Sequence, residues 1–239
     1  MEGNFIFVSN KIMIEKEIEN GLNILNNSYK LNEINCGQFS NLQIQNIAYN
    51  IKQYEIVGVG NLLLMESKDS PVLQMLSFVI TPYYKNLPLF SSDCLFIGEK
   101  RNFLVEYYDL VREKDSLYNA YLNKLQAIKD KYEDLPDMKL KECWYDSLKT
   151  VCIAKKTLIA HDDIMLSIFN ENLHTFIEAE RETDILSKSE KKAKLQITRD
   201  YVNKLVDIGG VSTNVFKNCM GAESTKKFFN EVFFGTEKF

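Results

Sequence analysis

The stretch TPYYKNLPLFSSD, residues 81–93, is mostly apolar and aromatic, yet it ends on a carboxylate. The strand-like run CLFI follows immediately, so the chain places an ionisable acid next to a segment that it is about to bury. Asp is depleted in strands and is rarely buried unless it is paired. Asp93 is therefore either an ordinary turn residue or an acid that a functional site requires.

Other chemistry-bearing motifs are weak. GVGN at 58–61 has no third glycine and continues as a strand, which argues against a dinucleotide site. HDD at 161–163 has the residue types of a metal site, but two aspartates in the first turn of a helix explain it better. The five cysteines are scattered singly and form no CxxC pair, so we expect free thiols in a reducing cytosol. No motif for flavin, nicotinamide, metal or haem is visible, so a redox enzyme with this sequence would take its electrons from a partner.

Composition limits the class of protein. A chain of 239 residues with 45% hydrophobic content can bury a sizeable core. The net charge of -4 argues against a nucleic-acid partner. No apolar run approaches the roughly 20 residues that span a bilayer, and no signal peptide is evident. We therefore expect a cytoplasmic protein that binds neither nucleic acid nor membrane.

The elements that must position Asp93 follow from periodicity. Strand-length apolar runs with short turns fill residues 54–109 and predict four antiparallel strands. Helical periodicity predicts helices at 11–27, 113–132, 162–180, 187–208, 211–219 and 223–233, with a loop leading into a helical or extended piece around Trp144. Strands followed by helices are typical of an α+β sandwich. Without a Pro/Gly linker or a repeat, residues 1–239 are predicted to form one domain.

Beyond these patterns, TPYYKNLPLFSSDCLF resembles a signature of the ferredoxin-dependent bilin reductases, the phycocyanobilin/phycoerythrobilin:ferredoxin oxidoreductase type. In that family a Pro-containing aromatic loop precedes an Asp that opens the next strand, and here Pro88, Phe90 and Asp93 hold those positions. CWYDSLKTVCIAKK, with Trp144, is similar to the family's Trp-centred segment. VFKNCMGAESTKKFFNEVFFG is similar to its closing helices. The resemblance covers residues 55–235 and leaves the N-terminal portion unmatched.

The resemblance implies a three-layer α/β/α sandwich with a central antiparallel sheet, and a monomer. It implies that a linear tetrapyrrole, biliverdin or a related bilin, lies between the sheet and the C-terminal helices, as in phycobilin biosynthesis. Electrons would arrive singly from reduced ferredoxin, with no bound cofactor. Because one-electron steps produce bilin radicals that must be protonated, the family needs a general acid. A carboxyl in an apolar pocket has a raised pKa and can remain protonated near neutrality.

The site residues are carried over from the resemblance and compete with structural interpretations. The predicted catalytic acids are Asp93, Glu66 and Asp207. The predicted substrate-binding residues are Lys155 and Lys156 for a propionate, and Phe90, Tyr83 and Trp144 for stacking on pyrroles. As alternatives, the acids could be caps or solvated side chains, the lysines an exposed edge, and the aromatics core residues. Likewise KSEKKAK at 188–194 and Lys226–Lys227 could face acidic ferredoxin or be ordinary solvated helix surface.

One departure from the family keeps the reaction open. Leu76 or a neighbour stands where the phycocyanobilin-forming branch places a histidine. This difference favours a two-electron reduction, or a different regiochemistry, over the four-electron chemistry of that branch. Two other functions remain possible, namely reduction of another open-chain tetrapyrrole such as a chlorophyll catabolite, and tetrapyrrole binding without catalysis.

Overall fold

The computed structural model describes residues 2–210 and 212–239. The strands are β1 (Leu31–Ile34), β2 (Asn41–Ile44), β3 (Ile47–Ile56), β4 (Gly60–Glu66), β5 (Gln74–Pro82), β6 (Leu89–Ile97), β7 (Lys100–Tyr108) and β8 (Lys149–Leu158). The helices are α1 (Glu2–Asn26), α2 (Ser116–Lys131), α3 (Asp162–Glu182), α4 (Lys188–Ile208), α5 (Thr213–Met220) and α6 (Ala222–Phe228), and a π-turn follows at Phe229–Phe233. Among the described helices, none is both long and apolar enough to cross a membrane.

All eight strands belong to one antiparallel sheet. From β3 to β8 each strand pairs with the next strand along the chain, so the meander predicted for the middle of the sequence is confirmed. β1 and β2 pair with different halves of the free edge of β3. α2 lies between β7 and β8 in the sequence, and β8 closes the other edge of the sheet.

Helices cover both faces of the sheet. α1, α2 and α3 pack on one, the α1–α3 face, where the Phe78 and Phe169 rings meet at 5.1 Å between centroids. α4, α5, α6 and the π-turn pack on the other, the α4–α6 face, where Phe216 stacks on Phe228 at 5.6 Å. The predicted three-layer sandwich with a central antiparallel sheet is thus confirmed.

Several element predictions were wrong in detail. The run YEIVGVGNLLLME is two strands and not one, because the chain turns at 57–59. Gly60 follows this turn with a φ of 157°, and a Cβ there would lie 2.1 Å from the Thr81 carbonyl oxygen. α1 begins at Glu2 instead of residue 11, and the strands at 31–50 and 149–158 were not predicted. Asp93 lies in the middle of β6 and does not open it.

Candidate functional site

The α4–α6 face of the sheet is covered unevenly. Residues in register across this face are Ile51, Met65, Ser77, Asp93, Leu104 and Ala154, from β3 to β8. The first three are buried, whereas Asp93, Leu104 and Ala154 are partly exposed. The C-terminal helices therefore cover β3 to β5 and leave a floor on β6, β7 and β8, roughly 10 Å across.

Alternation along the edge strands gives the same result. In β8 the side chains at 151, 153, 155 and 157, on the α1–α3 face, are buried. The side chains at 152, 154 and 156, on the α4–α6 face, are half-buried or exposed. Since successive side chains of a strand point to opposite faces, one face of this edge is packed and the other is accessible. Leu95, Leu104 and Ala154 give the floor its apolar part.

Asp93 is the acid of this floor. Its side chain is half-buried, and it accepts hydrogen bonds from the Ser77 hydroxyl and, at 2.8 Å, from the Ser91 hydroxyl. Burial raises the pKa of Asp93 to about 6, against the two serine hydrogen bonds, which lower it, and with a further rise from the charge of Glu106. At pH 7 about a tenth of the side chains at such a pKa carry a proton, compared with about one in a thousand at the ordinary value.

Glu106 is a second acid on this floor, and sequence reasoning missed it. It lies on β7 in register with Ser91, which places it diagonally next to Asp93. Its carboxylate is buried, accepts from the Tyr108 hydroxyl at 2.8 Å and pairs with the Lys149 ammonium at 2.8 Å. The available signal was a glutamate inside an otherwise apolar strand, NFLVEYY, since such an acid is rarely buried without a partner.

An aromatic wall borders the floor. Trp144 packs on Tyr145 and Tyr201 with ring centroids at 5.5 and 5.9 Å, and Tyr201 in turn packs on Tyr108 at 5.7 Å. The Trp144 indole N–H donates to the Gly209 carbonyl at 2.8 Å, which ties the loop before β8 to the end of α4. Aromatic faces at the rim of an apolar floor suit a flat, conjugated ligand.

Two predicted substrate-binding residues lie on the same face of the sheet as Asp93. Trp144 is half-buried in the aromatic wall, and Lys156 is exposed on β8, two residues beyond Ala154. Tyr83 lies on the side of the C-terminal segment, but it is fully buried, donates to the Phe234 carbonyl at 2.7 Å and stacks on Phe239. Tyr83 is therefore a core residue that no ligand on the floor reaches.

Three predicted site residues lie on the opposite face. Glu66 and Lys155 are in register with Cys94, the neighbour of Asp93, so their side chains point to the α1–α3 face. Glu66 accepts from the Asn50 amide at 3.1 Å, and the buried Lys155 donates to the Leu135 carbonyl at 2.9 Å and pairs with Asp137 at 2.8 Å. Phe90, three residues before Asp93, packs in the core between Phe78, Tyr107 and Phe169. The predicted grouping of these three with Asp93 is wrong.

Two further positions singled out in the sequence are Asp207 and Leu76. Asp207 is exposed in the last turn of α4, while the α4 side chains that meet the sheet side are Tyr201, Val202 and Leu205. The catalytic role of Asp207 stays a prediction. On β5 the residue that faces Asp93 is Ser77, whereas Leu76 points to the α1–α3 face.

The basic run at 188–194 is not uniformly exposed. Lys188 and Lys192 are exposed, but Lys194 is buried and donates to the Leu87 and Leu110 carbonyls, both at 2.7 Å. Lys191 lies over the Tyr84 ring at 3.7 Å from its centroid. The run therefore ties the start of α4 to the loop before β6 as well as presenting charge.

HDD at 161–163 has a structural explanation. Asp162 forms a two-bond ion pair with the buried Arg101, at 2.8 and 3.1 Å, and Asp163 is exposed beside Lys16. Within residues 2–210 and 212–239, no group of three or more His, Cys, Asp or Glu side chains has an arrangement that could hold a metal ion.

Two clefts lie away from Asp93. One, of about 390 Å³, runs between α1 and the β3–β4 edge and includes Glu66 and Lys68. The other, of about 370 Å³, lies between the turn at 35–39 and the C-terminal segment around Glu231. Asp93 lines neither cleft, so its surroundings are the accessible floor and the aromatic wall described above.

Comparison with known proteins identifies the fold. No protein-family model and no curated protein matches the chain. Among solved structures, the chain is similar to selenomethionine-labelled phytochromobilin synthase from tomato in complex with biliverdin. The two share 16% sequence identity with a TM-score of 0.73, over 93% of this chain and 83% of the tomato chain. The resemblance to bilin reductases in the sequence is thus confirmed at the level of the fold, which this chain shares with phytochromobilin synthase.

Proposed function

We propose that this protein is an oxidoreductase that reduces a linear tetrapyrrole, biliverdin or a related bilin, with electrons from reduced ferredoxin. The observation that carries the proposal is Asp93, a half-buried acid with a raised pKa on an accessible, largely apolar floor beside an aromatic wall. The solved structure with the same fold holds biliverdin, which is a flat, conjugated ligand of the kind that such a floor suits. Fold likeness alone does not decide function, so the site is the main support.

In this reaction the tetrapyrrole gains two electrons and two protons for each double bond reduced. Ferredoxin delivers the electrons one at a time, so a bilin radical forms after the first transfer and must be protonated for the second to proceed. Asp93 donates a proton to that radical and is then reprotonated from solvent. The serine hydroxyls of Ser77 and Ser91 hold the carboxyl in place and stabilise its ionised form after the proton has left.

Binding of the tetrapyrrole strengthens the role of Asp93. A pigment lying on Leu95, Leu104 and Ala154 would displace water from the floor and remove much of the remaining solvation of Asp93. Loss of solvation disfavours the carboxylate, so the pKa of Asp93 rises further when substrate binds. Trp144 contributes an aromatic surface at the rim, and Lys156 offers an exposed ammonium for a propionate.

Visible spectroscopy under anaerobic conditions tests the proposal. Biliverdin is mixed with the protein, and a reduced ferredoxin system is then added. We expect a spectral shift on mixing, followed by progressive loss of the long-wavelength band. Asp93→Asn should still shift the spectrum on mixing but slow the loss by about 10²-fold or more, as removal of a general acid does.

Glu66→Gln is the matched control, because Glu66 is another largely buried acid of the same sheet but points to the α1–α3 face. It should leave the rate within a few-fold of the parent. A shift on mixing without any loss would replace the proposal with a non-catalytic carrier. No shift at all would exclude biliverdin and direct the test to other open-chain tetrapyrroles, and equal damage from both variants would refute the role of Asp93.

A further inference from the structure

A line of polar side chains crosses three strands of the accessible floor. Ser91 donates to Asp93 at 2.8 Å and is in register with Glu106 on β7. Glu106 pairs with Lys149 at 2.8 Å, and Lys149 also pairs with Asp146 at 3.0 Å. Asp146 is the most exposed member, with 40% of its side chain accessible. The line therefore runs from the half-buried acid, through a buried ion pair, to solvent.

The buried Glu106 carboxylate has two partners. Only 9% of its side chain is exposed, and a buried carboxylate persists only when partners compensate its charge. Here the partners are the Lys149 ammonium on one oxygen and the Tyr108 hydroxyl on the other. Burial lowers the pKa of Lys149, but the hydrogen bonds and charges of Glu106 and Asp146 outweigh it and raise the pKa overall. Glu106 is in register with Ser91, whereas Lys149 is in register with Tyr108, so the negative partner of this ion pair lies nearer to Asp93 than the positive one.

We propose that Glu106 is a positioning residue, whose charge, fixed by Lys149, increases the fraction of Asp93 side chains that carry the transferable proton between turnovers. The inference rests on the proposed function for its catalytic meaning, but its electrostatic content concerns the free protein. Glu106 touches neither the floor's apolar centre nor Asp93 itself, and it acts through the field that it exerts on the Asp93 carboxyl.

Several charged and titratable groups surround the two acids. The groups that face Glu106 are Tyr108 on its own strand, Asp93 on β6, Lys149 and Cys152 on β8, and Tyr201 on α4. The groups that face Asp93 are Ser77, Ser91, Glu106 and, through the sheet, Glu17. Of these groups, Glu106 and Glu17 are the carboxyl groups whose negative charge could disfavour ionisation of Asp93. Burial raises the pKa of Glu17 to about 8, so Glu17 is mostly neutral at pH 7. The charge that acts on Asp93 at this pH is therefore that of Glu106.

The expected effect follows from the separation of the two acids. Diagonal neighbours on one sheet face lie roughly 7–8 Å apart. One unit charge at that distance, in an effective dielectric of about 40, shifts a neighbouring pKa by about one pH unit. Glu106→Gln should therefore lower the titration midpoint of Asp93 by about one unit.

The test is a titration of the Asp93 carboxyl in the protein without ligand, by carbon NMR of chains labelled at the aspartate carboxyl carbon. The Asp93 signal is identified by its loss in Asp93→Asn. We expect its midpoint to fall by about one pH unit in Glu106→Gln and to stay within about 0.2 unit in Glu99→Gln, which removes the same charge at the exposed β6–β7 turn. An unchanged or higher midpoint in Glu106→Gln would overturn the inference.

A second variant protects the test against misfolding. If Glu106→Gln does not fold because Lys149 loses its main partner, Glu106→Gln/Lys149→Met removes both charges together. The double variant should lower the midpoint by less than the single variant would, but in the same direction, since the nearer charge is the negative one. An unchanged midpoint in the folded double variant would overturn the inference equally.

Turnover provides the link to the proposed function. If the protein reduces biliverdin, the pH above which kcat declines should fall by about one unit in Glu106→Gln, with KM nearly unchanged. A structural role alone would change the amplitude and leave this pH in place. If biliverdin is not reduced at all, the proposed function fails while the NMR titration still decides whether Glu106 sets the proton affinity of Asp93.

Discussion

Replacing Glu17 by glutamine tests how strongly burial on the α1–α3 face disfavours ionisation of a carboxyl group. Glu17 lies on α1 with 1% of its surface exposed, and its carboxyl accepts a hydrogen bond from the Ser92 hydroxyl at 3.3 Å. Burial raises the pKa of Glu17 to about 8, against the lowering effect of the Ser92 hydrogen bond and with further rises from Asp93 and Asp162. The folded protein should therefore hold a proton on Glu17 that the unfolded chain releases.

The sign and size of the effect follow from linkage. In the unfolded chain the pKa of Glu17 is close to 4.5, so between pH 4.5 and 8 the folded state binds more protons than the unfolded state. Stability falls as pH rises through this range, by up to 1.4 kcal/mol per unit, and this loss ends above pH 8. Glu17 should therefore cost the parent protein about 3 kcal/mol between pH 5 and pH 8, a cost that Glu17→Gln avoids.

Urea unfolding at pH 5, 6, 7 and 8, followed by Trp144 fluorescence, measures this difference. Subtracting the parent from the variant at each pH cancels the contributions of other titrating groups. The difference should grow with pH in Glu17→Gln and stay flat in Glu19→Gln, which makes the same change on an exposed position of the same helix. Parallel curves for Glu17→Gln and the parent would refute the reasoning, because they would mean that Glu17 is ionised in the folded protein.

Two further predictions concern buried cations. Burial lowers the pKa of Lys194 to about 7, although the charge of Asp109 raises it. Above pH 7 the unfolded chain therefore binds a proton that the folded protein has lost, so the stability of the parent relative to Lys194→Met should increase by about 2 kcal/mol from pH 7 to pH 9. A stability difference in urea unfolding that does not change with pH would contradict this. The Arg101 side chain is fully buried and that of its partner Asp162 is 18% exposed, so Arg101→Met leaves a partly buried carboxylate without its cation and should cost about 3 kcal/mol in thermal or urea unfolding, the low end for a buried pair. A loss below 1 kcal/mol would indicate that Asp162 finds solvent or another partner.

The fold could largely be predicted from sequence because its centre is a run of local hairpins. The apolar runs from β4 to β7 are joined by short turns, and each pairs with its neighbour as strand length and turn residues predict. β8 was missed because the lysines at 155 and 156 interrupt its apolar pattern, and Lys155 is buried only because Asp137 and the Leu135 carbonyl compensate it. Such compensation comes from a loop that lies beside β8, and nothing local in the sequence indicates it.

The site was predicted less well because it depends on which face of the sheet each strand side chain occupies. Asp93 was correctly singled out as an unusual acid in an apolar stretch, although its catalytic role stays a prediction. Glu66 and Lys155 were wrongly grouped with it, since a shift of one residue in register moves a side chain to the other face. Each of them is in register with Cys94 and not with Asp93, and that single step depends on the lengths of turns between strands. Glu106 was missed because its significance arises from Ser91 and Lys149 on two other strands.

The two acids on either side of β6 explain why the site lies where it does. Glu17 and Asp93 are both disfavoured as anions by burial, and each is bound by serine hydroxyls of the same strand, Ser92 and Ser91. Only Asp93 faces a layer that stops short of covering the strand, so only Asp93 can exchange its proton with solvent or a ligand without opening the core. A raised pKa alone therefore does not make a buried acid a proton donor to a ligand. The helix layer over β6 to β8 is incomplete, so solvent or a ligand can reach Asp93, whereas the packed α1–α3 face keeps both away from Glu17.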